Sequence, residues 1–411
     1  MKRVVITGLG AVTAVGNNVE TTWDNAKKGI CGIEEITAFD TTDFKVKLAA
    51  QVKDFDALTV LTKQEIRKLD RFVQFAIASA SEAYTDSGLK GIVDKERMGV
   101  SVSSGIGGIY TIEETANKLI EAGPNRISPH FIPKVLTNLA AGNVAIHLGA
   151  KGLCHTIVTA CAAATDAIGT AFHHIQAGRA DVMITGGAEA SITPLGIAGF
   201  SVIRAVSEST DKTRASIPFD AQRNGFVMGE GAGILILESL EHAQARDAKI
   251  YGEIIGYGAT CDAFHVTAPA EDGEGAVRAM KLALRDAGIK TEKIEYINAH
   301  GTSTPLNDKT ETKAVKEAFG EHATKLAISS TKGMTGHMLG AAGAIEAILT
   351  IKSLEDSFIL PTLNHKKADI DCDLDIVPNV GRKQEIKYAM SNSLGFGGHN
   401  ASVIFKKWED K

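Results

Sequence analysis

A stretch that recurs in order as well as in wording constrains this 411-residue chain most. Ala83-Tyr-Thr-Asp-Ser-Gly-Leu89 is matched by Ala283-Leu-Arg-Asp-Ala-Gly-Ile289. Each closes a helix-like stretch with glycine, the residue that takes the left-handed C-cap at least cost. A strand ending in a glycine turn follows each match, at 98–105 and 294–301. A helix of small residues comes next, at 160–175 and 340–351, and then another strand, at 181–186 and 386–392. The simplest account is two similarly folded halves packed face to face, with a site between them. The join falls near 245–255, giving an N-terminal half over 1–250 and a C-terminal half over 251–411.

Length agrees with that division, because a single core stops growing at about 250–300 residues. Short β-branched runs alternate with longer helical patterns, which reads as a layered α/β fold. The expected strands include 3–7, 99–103, 182–185, 233–238, 293–298 and 401–406. Helices are expected over 70–87, 162–176, 275–287 and 341–354.

Composition excludes several classes. The net charge of −5 gives no global attraction to nucleic acid. No run of about 18 apolar residues is present, so no membrane span is expected. The five cysteines are odd in number and irregularly spaced, which argues against a disulfide framework and for a reducing, cytoplasmic setting. The N-terminus enters a strand-like segment without the features of a signal peptide.

Two glycine motifs invite a nucleotide reading and fail it. After Gly8-Leu-Gly10, position 13 is Thr13, and Gly105-Ile-Gly107-Gly108 fails similarly. These glycines read instead as tight turns and close backbone packing. Cys154-His155, Cys161 and His173-His174 match no usual zinc spacing. His173 and His174 also lie about 18 Å along the helix that follows Cys161, so no metal is expected.

Cys161, between Thr159-Ala160 and Ala162-Ala-Ala, has two readings. A buried free cysteine is usually a small hydrophobe. A thiol ahead of a small-residue helix can instead be a nucleophile, with the helix N-terminus lowering its pKa and offering N–H groups to an oxyanion. His300, in Asn298-Ala-His-Gly-Thr-Ser-Thr304, and His337, in Lys332-Gly-Met-Thr-Gly-His337, occupy parallel turns of the second half. Each alone reads as a satisfied turn histidine; together with Cys161 they suggest acyl loading on sulfur followed by carbon–carbon bond formation. Lys332 reads either as an exposed turn lysine or as a nearby positive charge. Residues 391–400 read as a long irregular glycine loop, in which Gly395, Gly397 and Gly398 allow Phe396 to move as a gate.

At Thr159-Ala-Cys161, Ala299-His-Gly-Thr-Ser-Thr304, Lys332-Gly-Met-Thr-Gly-His337 and Asn392-Ser-Leu-Gly-Phe-Gly-Gly398 the chain resembles the β-ketoacyl-[acyl carrier protein] synthases of the thiolase superfamily. The resemblance covers essentially the whole length and is strongest to the type II elongating members of bacterial fatty acid synthesis. It implies a five-layered αβαβα fold and a homodimer. It implies decarboxylative condensation of malonyl-carrier protein with an acyl chain on Cys161. His300 and His337 then line the decarboxylation site, Lys332 sets their electrostatics, and Glu346 supports it from behind. The N–H groups of Cys161 and Phe396 form the oxyanion hole. Thr302 and Thr304 bind the phosphopantetheine arm, Ile106 lies in the acyl pocket, and Phe200, Gly397 and Gly398 line the substrate site. Arg67, Lys68, Arg126 and Arg204 match the basic surface that docks acidic carrier protein; each also reads as an ordinary solvated charge. No cofactor is implied beyond the phosphopantetheine that arrives on the carrier.

One departure is His399, where the family commonly has Thr. Rival readings are a type I elongating synthase or polyketide ketosynthase, a biosynthetic thiolase, and a non-catalytic partner subunit resembling chain-length factors. The thiolase reading lacks its second cysteine near Phe396, and the partner reading lacks a reason for Cys161. The segment 131–146 looks buried, in keeping with a dimer.

Overall fold

A computed structural model describes residues 1–409. Ten strands form one sheet: β1 (Val4–Val12), β2 (Met98–Ser103), β3 (Cys154–His155), β4 (Val182–Glu189), β5 (Gly231–Ser239), β6 (Gly252–Cys261), β7 (Tyr296–Asn298), β8 (Ala327–Ser329), β9 (Tyr388–Gly395) and β10 (His399–Lys407). Their spatial order is β3-β2-β4-β5-β1-β6-β10-β9-β7-β8. Read outward from the middle, the first five strands run 1-5-4-2-3 and the last five 6-10-9-7-8. The directions repeat too: β1–β5, β5–β4, β6–β10 and β10–β9 are antiparallel, while β4–β2, β2–β3, β9–β7 and β7–β8 are parallel. Within the sheet, three residue pairs of β1 and β6, Val4↔Ile254 to Ile6↔Gly252, join the halves.

Six helices build the layers: α1 (Arg71–Asp86), α2 (Leu139–Leu148), α3 (Ala163–Gln176), α4 (Glu274–Ala287), α5 (Pro305–Phe319) and α6 (Ala342–Asp356). Side chains alternate across a strand, and here both faces are buried. Leu235 and Leu237 of β5, with Val403 and Phe405 of β10, face a core shared with Ile168 and Phe172 of α3 and Ile345 and Ile348 of α6. Ile234 and Ile236 point the other way, toward Phe72, Phe75 and Ile77 of α1. On the far side, Ile404 and Met390 meet Val277, Met280 and Leu284 of α4. The layers are therefore outer helices, sheet, α3 with α6, sheet, outer helices: the expected αβαβα.

The glycines near the N-terminus lie inside β1 and not in a turn. A Cβ on Gly8 would sit 2.2 Å from the Ala83 carbonyl oxygen, and one on Gly10 1.9 Å from that of Ser79. They let the strand backbone lie directly on α1, and the strand runs on to Val12.

Two sequence expectations are corrected. Residues 391–400 are not a long irregular loop: β9 continues to Gly395, which pairs with His399, leaving a three-residue turn, Phe396-Gly397-Gly398. The glycines at φ +86° and +74° close this hairpin. The segment 131–146 is buried only in part: Ala140, Ala141 and Val144 are in the core, and other apolar residues are not. Ile132, Leu136 and Ile146 are 56%, 45% and 79% exposed. Their apolar character misleads because the described residues leave them largely uncovered. Among the described residues, no helix is long and apolar enough to cross a membrane.

Candidate active site

Cys161 occupies a 3-10 turn, Ala160–Ala162, that leads into α3. Ala160 takes the left-handed conformation (φ +50°), uncommon for a residue with a Cβ. Cys161 is buried. Its Sγ lies 3.1 Å from His337 Nε2. His300 follows β7, and its ring stands edge-on to His337 with centroids 5.3 Å apart. One ligating atom from each of Cys161, His300 and His337 lies within 4.8 Å of the others. Cys161 lies more than a hundred positions before either histidine, and the histidines come from two different turns.

Lys332 is not an exposed turn lysine. It is 1% exposed; its Nζ donates to the His300 carbonyl at 2.5 Å and forms an ion pair with Glu346 of α6. Burial pushes the Glu346 carboxyl up, and the ammonium beside it pulls it partly back. Burial, and secondarily Lys332, hold both imidazoles well below their ordinary value, so both rings are neutral at pH 7.

The thiol departs from expectation. Burial pushes Cys161 up to about 12, against the pull of the Lys332 ammonium and the Phe396 N–H. Full desolvation outweighs the field of a helix end. The basic nitrogen within reach of this neutral thiol is His337 Nε2.

A cavity of about 370 Å³ opens onto these groups, lined by Cys161, Phe200, Phe226, His300, His337, Thr302, Thr304, Leu339, Phe396 and Gly398 among others. Thr302 Oγ1 and Thr304 Oγ1 stand 2.9 Å apart on its wall. The Phe396 ring lies 6.3 Å from that of Phe200, and its backbone N–H meets the thiol. Gly397 and Gly398 flank it in the hairpin turn. A Cβ on Gly395 would lie 2.7 Å from the Thr159 carbonyl oxygen, so that glycine lets the hairpin touch the nucleophile turn. Ile106 and Phe200 pack against the apolar cluster that contains Cys161, Ile192, Ile197 and Val206. Arg67, Lys68, Arg126 and Arg204 are exposed, and Arg204 lines the cavity mouth. His173 pairs with Asp286 at 2.9 Å.

Four carboxylates that position this site escaped the sequence reading. Glu189 accepts N–H groups from Gly105 (2.7 Å), Gly340 (3.1 Å) and Ile106 (3.3 Å). Glu311 accepts those of His300 and Gly301, each at 2.8 Å. Asp308 accepts those of Phe219 (2.8 Å) and Ser303 (3.2 Å). Asp166 accepts from Thr159 Oγ1 at 2.5 Å and Tyr257 Oη at 2.6 Å, tying the nucleophile turn to β6 of the other half. Glu189 gave one usable signal, a charge ending the apolar run Val182–Glu189 between small residues. Glu311 and Asp308 gave none, because the polar helix around them reads as solvated.

Comparison with known proteins gives a consistent set of relatives. Residues 1–243 match the β-ketoacyl synthase N-terminal domain and residues 251–366 its C-terminal domain. The chain is 54% identical over 410 residues to 3-oxoacyl-[acyl-carrier-protein] synthase 2 of Staphylococcus aureus strain N315, covering 99% of both chains. It is 50% identical to the protein of the same description from Synechocystis, again over 99% of both. Among solved structures, a β-ketoacyl synthase from Burkholderia phymatum is 35% identical, with TM-score 0.92 and both chains fully covered. A type II polyketide ketosynthase, solved with its acyl-carrier protein and bound to a hexaketide, is 36% identical with TM-score 0.92, covering 99% of this chain and 100% of that one.

Proposed function

Because this chain belongs to the β-ketoacyl synthase family, we propose that it elongates acyl chains by two carbons on a carrier protein, as a 3-oxoacyl synthase of the type II elongating kind. The observation that carries the reading is the 3.1 Å approach of Cys161 Sγ to His337 Nε2, with His300 edge-on beside it in a cavity. In the first half-reaction the sulfur of Cys161 attacks an acyl thioester while its proton passes through His337 toward the departing thiol. The tetrahedral oxyanion rests between the N–H groups of Cys161 and Phe396. The acyl chain extends past Ile106 and Phe200.

Malonyl-carrier protein then enters, with its pantetheine arm along Thr302 and Thr304. Loss of carbon dioxide leaves an enolate whose oxygen accepts N–H bonds from His300 and His337. Neutral imidazoles suit this role, because each keeps one N–H to donate. The enolate carbon attacks the acyl-Cys161 carbonyl, the C–S bond breaks, and the 3-oxoacyl chain leaves on the carrier. Lys332 and Glu346 fix the His300 turn and its field. No cofactor of its own is required.

The partners proposed are acyl carrier protein, met by Arg67, Lys68, Arg126 and Arg204, and a second copy of this chain. The exposed apolar Ile132, Leu136 and Ile146 support the second. Five free thiols suit a reducing cytoplasm.

Incubation with a ladder of acyl-carrier proteins, then malonyl-carrier protein, with intact mass spectrometry of enzyme and products, tests the reading. Adducts on Cys161 followed by products two carbons longer are expected, and the ladder separates a fatty acid synthase from a polyketide ketosynthase. A folded protein giving neither adduct nor product would remove the condensing assignment.

A further inference from the structure

Cys161, His300 and His337 direct one thiol sulfur and two imidazole nitrogens into a single space, all within 4.8 Å of one another. We infer that this trio is also a capture site for a borderline-soft divalent cation, zinc above all, and that its occupancy switches the enzyme off. One thiolate and two imidazoles form a donor set that zinc favours over oxygen-preferring cations. Bonds of about 2.0–2.3 Å place tetrahedral ligands roughly 3.3–3.7 Å apart. The Cys161–His337 edge, at 3.1 Å, is already near that spacing. His300 closes the rest by a shift of roughly 1 Å within a tetrahedral geometry. The fourth position opens into the cavity of about 370 Å³, where water completes the shell.

The surroundings define the kind of site. A histidine in a resident metal centre donates its other N–H to a carboxylate or carbonyl. Here the Nδ1 atoms of His300 and His337 have no hydrogen-bond partner among the described residues. Behind them stands Lys332, its ammonium committed to Glu346 and to the His300 carbonyl. The trio therefore has the ligands of a zinc site without its supporting shell, and capture is reversible: a poison site and not a cofactor site. On binding, the S–H bond breaks, an S–Zn bond forms and the proton goes to solvent. The sulfur electron pair that attacks a thioester is then held in the metal bond. Binding depends on the three side chains alone; its consequence for acyl loading rests on the condensing reading above.

The test is a titration of the metal-free full-length protein with cobalt chloride, followed by zinc chloride. Cobalt should give the intense visible bands of a tetrahedral site and a sulfur-to-cobalt charge-transfer band, both bleached by zinc. Cys161→Ser should abolish the charge-transfer band. His337→Ala should weaken binding at least about tenfold, the scale of losing a metal-site support. Wild-type protein already acylated on Cys161 should stay colourless, which covers the case of a variant that fails to fold. Cys154 and Cys261 are exposed and remain in all these samples. A band that survives in Cys161→Ser or in acylated protein overturns the proposal, as does a colourless wild type at millimolar cobalt. Acyl loading of the metal-free enzyme is read separately by mass; its failure would strike the condensing reading and leave the cobalt result standing.

Discussion

The two halves share strand order and direction, yet they differ at the turn that enters the central helix. In the N-terminal half Ala160 (φ +50°) leads into Cys161 and α3; in the C-terminal half Leu339 (φ +47°) leads into Gly340 and α6. The same unusual backbone thus presents a thiol in one half and no side chain in the other. The reason is packing. A Cβ on Gly340 would lie 2.2 Å from Gly105 N and 2.8 Å from Glu189 Oε2. The glycine turn after the second strand is held alike in both halves, by Glu189 at Gly105 and by Glu311 at His300 and Gly301. In the C-terminal half that turn carries an imidazole; in the N-terminal half it carries Ile106 toward the apolar cluster that contains Cys161. One scaffold used twice separates the chemistry: sulfur comes from one copy, imidazoles from the other, and their contact depends on how the copies pack.

The largest effect should come from the side chain that breaks this symmetry. Cys161→Ala should abolish acyl adducts in intact mass spectra while leaving thermal unfolding close to wild type. His300→Ala and His337→Ala should lower malonyl decarboxylation by about 10²–10³, the scale of losing a donor to a developing oxyanion. Acyl loading should fall much less in His300→Ala, whereas His337→Ala should slow loading as well, because His337 Nε2 is the nitrogen that takes the Cys161 proton. Equal loss of both half-reactions in folded His300→Ala protein would erase the division of labour.

The carboxylates sharpen the comparison. Burial pushes Glu311 up to about 7, whereas its unfolded value is about 4.3. The folded state therefore binds the extra proton between those values. This stability is fully present below about pH 4.3 and is lost as pH rises through about 7, on the order of 3 kcal/mol. Glu311→Gln should flatten denaturant-measured stability across pH 5–8. Gly340→Ala should cost about 1–3 kcal/mol through overpacking, measured by the same denaturation. The smallest effects belong to the exposed cations. Singly, Arg67→Ala, Lys68→Ala, Arg126→Ala or Arg204→Ala should raise KM for acyl-carrier protein less than about fivefold, as solvated pairs do.

Much of this was legible beforehand, for a common physical reason. The repeat, the alternating elements, the turns of Cys161, His300, Lys332 and His337, and the glycines around Phe396 are local signals. They consist of residue types whose conformational demands or chemistry show at short range. Glu311 and Asp308 were not legible, since they sit on a helix polar enough to pass for solvent-facing, and only the turns packed over it bury them. Asp166, an acid in the first turn of α3, ties the site together only where Thr159 and Tyr257 close on it. The segment 131–146 was misread because apolar composition says that a surface needs cover, not whether the same chain provides it.

The sequence by itself determined the doubled α/β plan and which residues were candidates for the reacting groups, because periodicity, glycine placement and nucleophile type are properties of short segments. Tertiary structure alone decided that Cys161 and His337 meet at 3.1 Å, that Lys332 is buried against Glu346, and that the resting thiol is held neutral. Those outcomes depend on distance and desolvation between segments far apart in the chain, and no local pattern encodes either quantity.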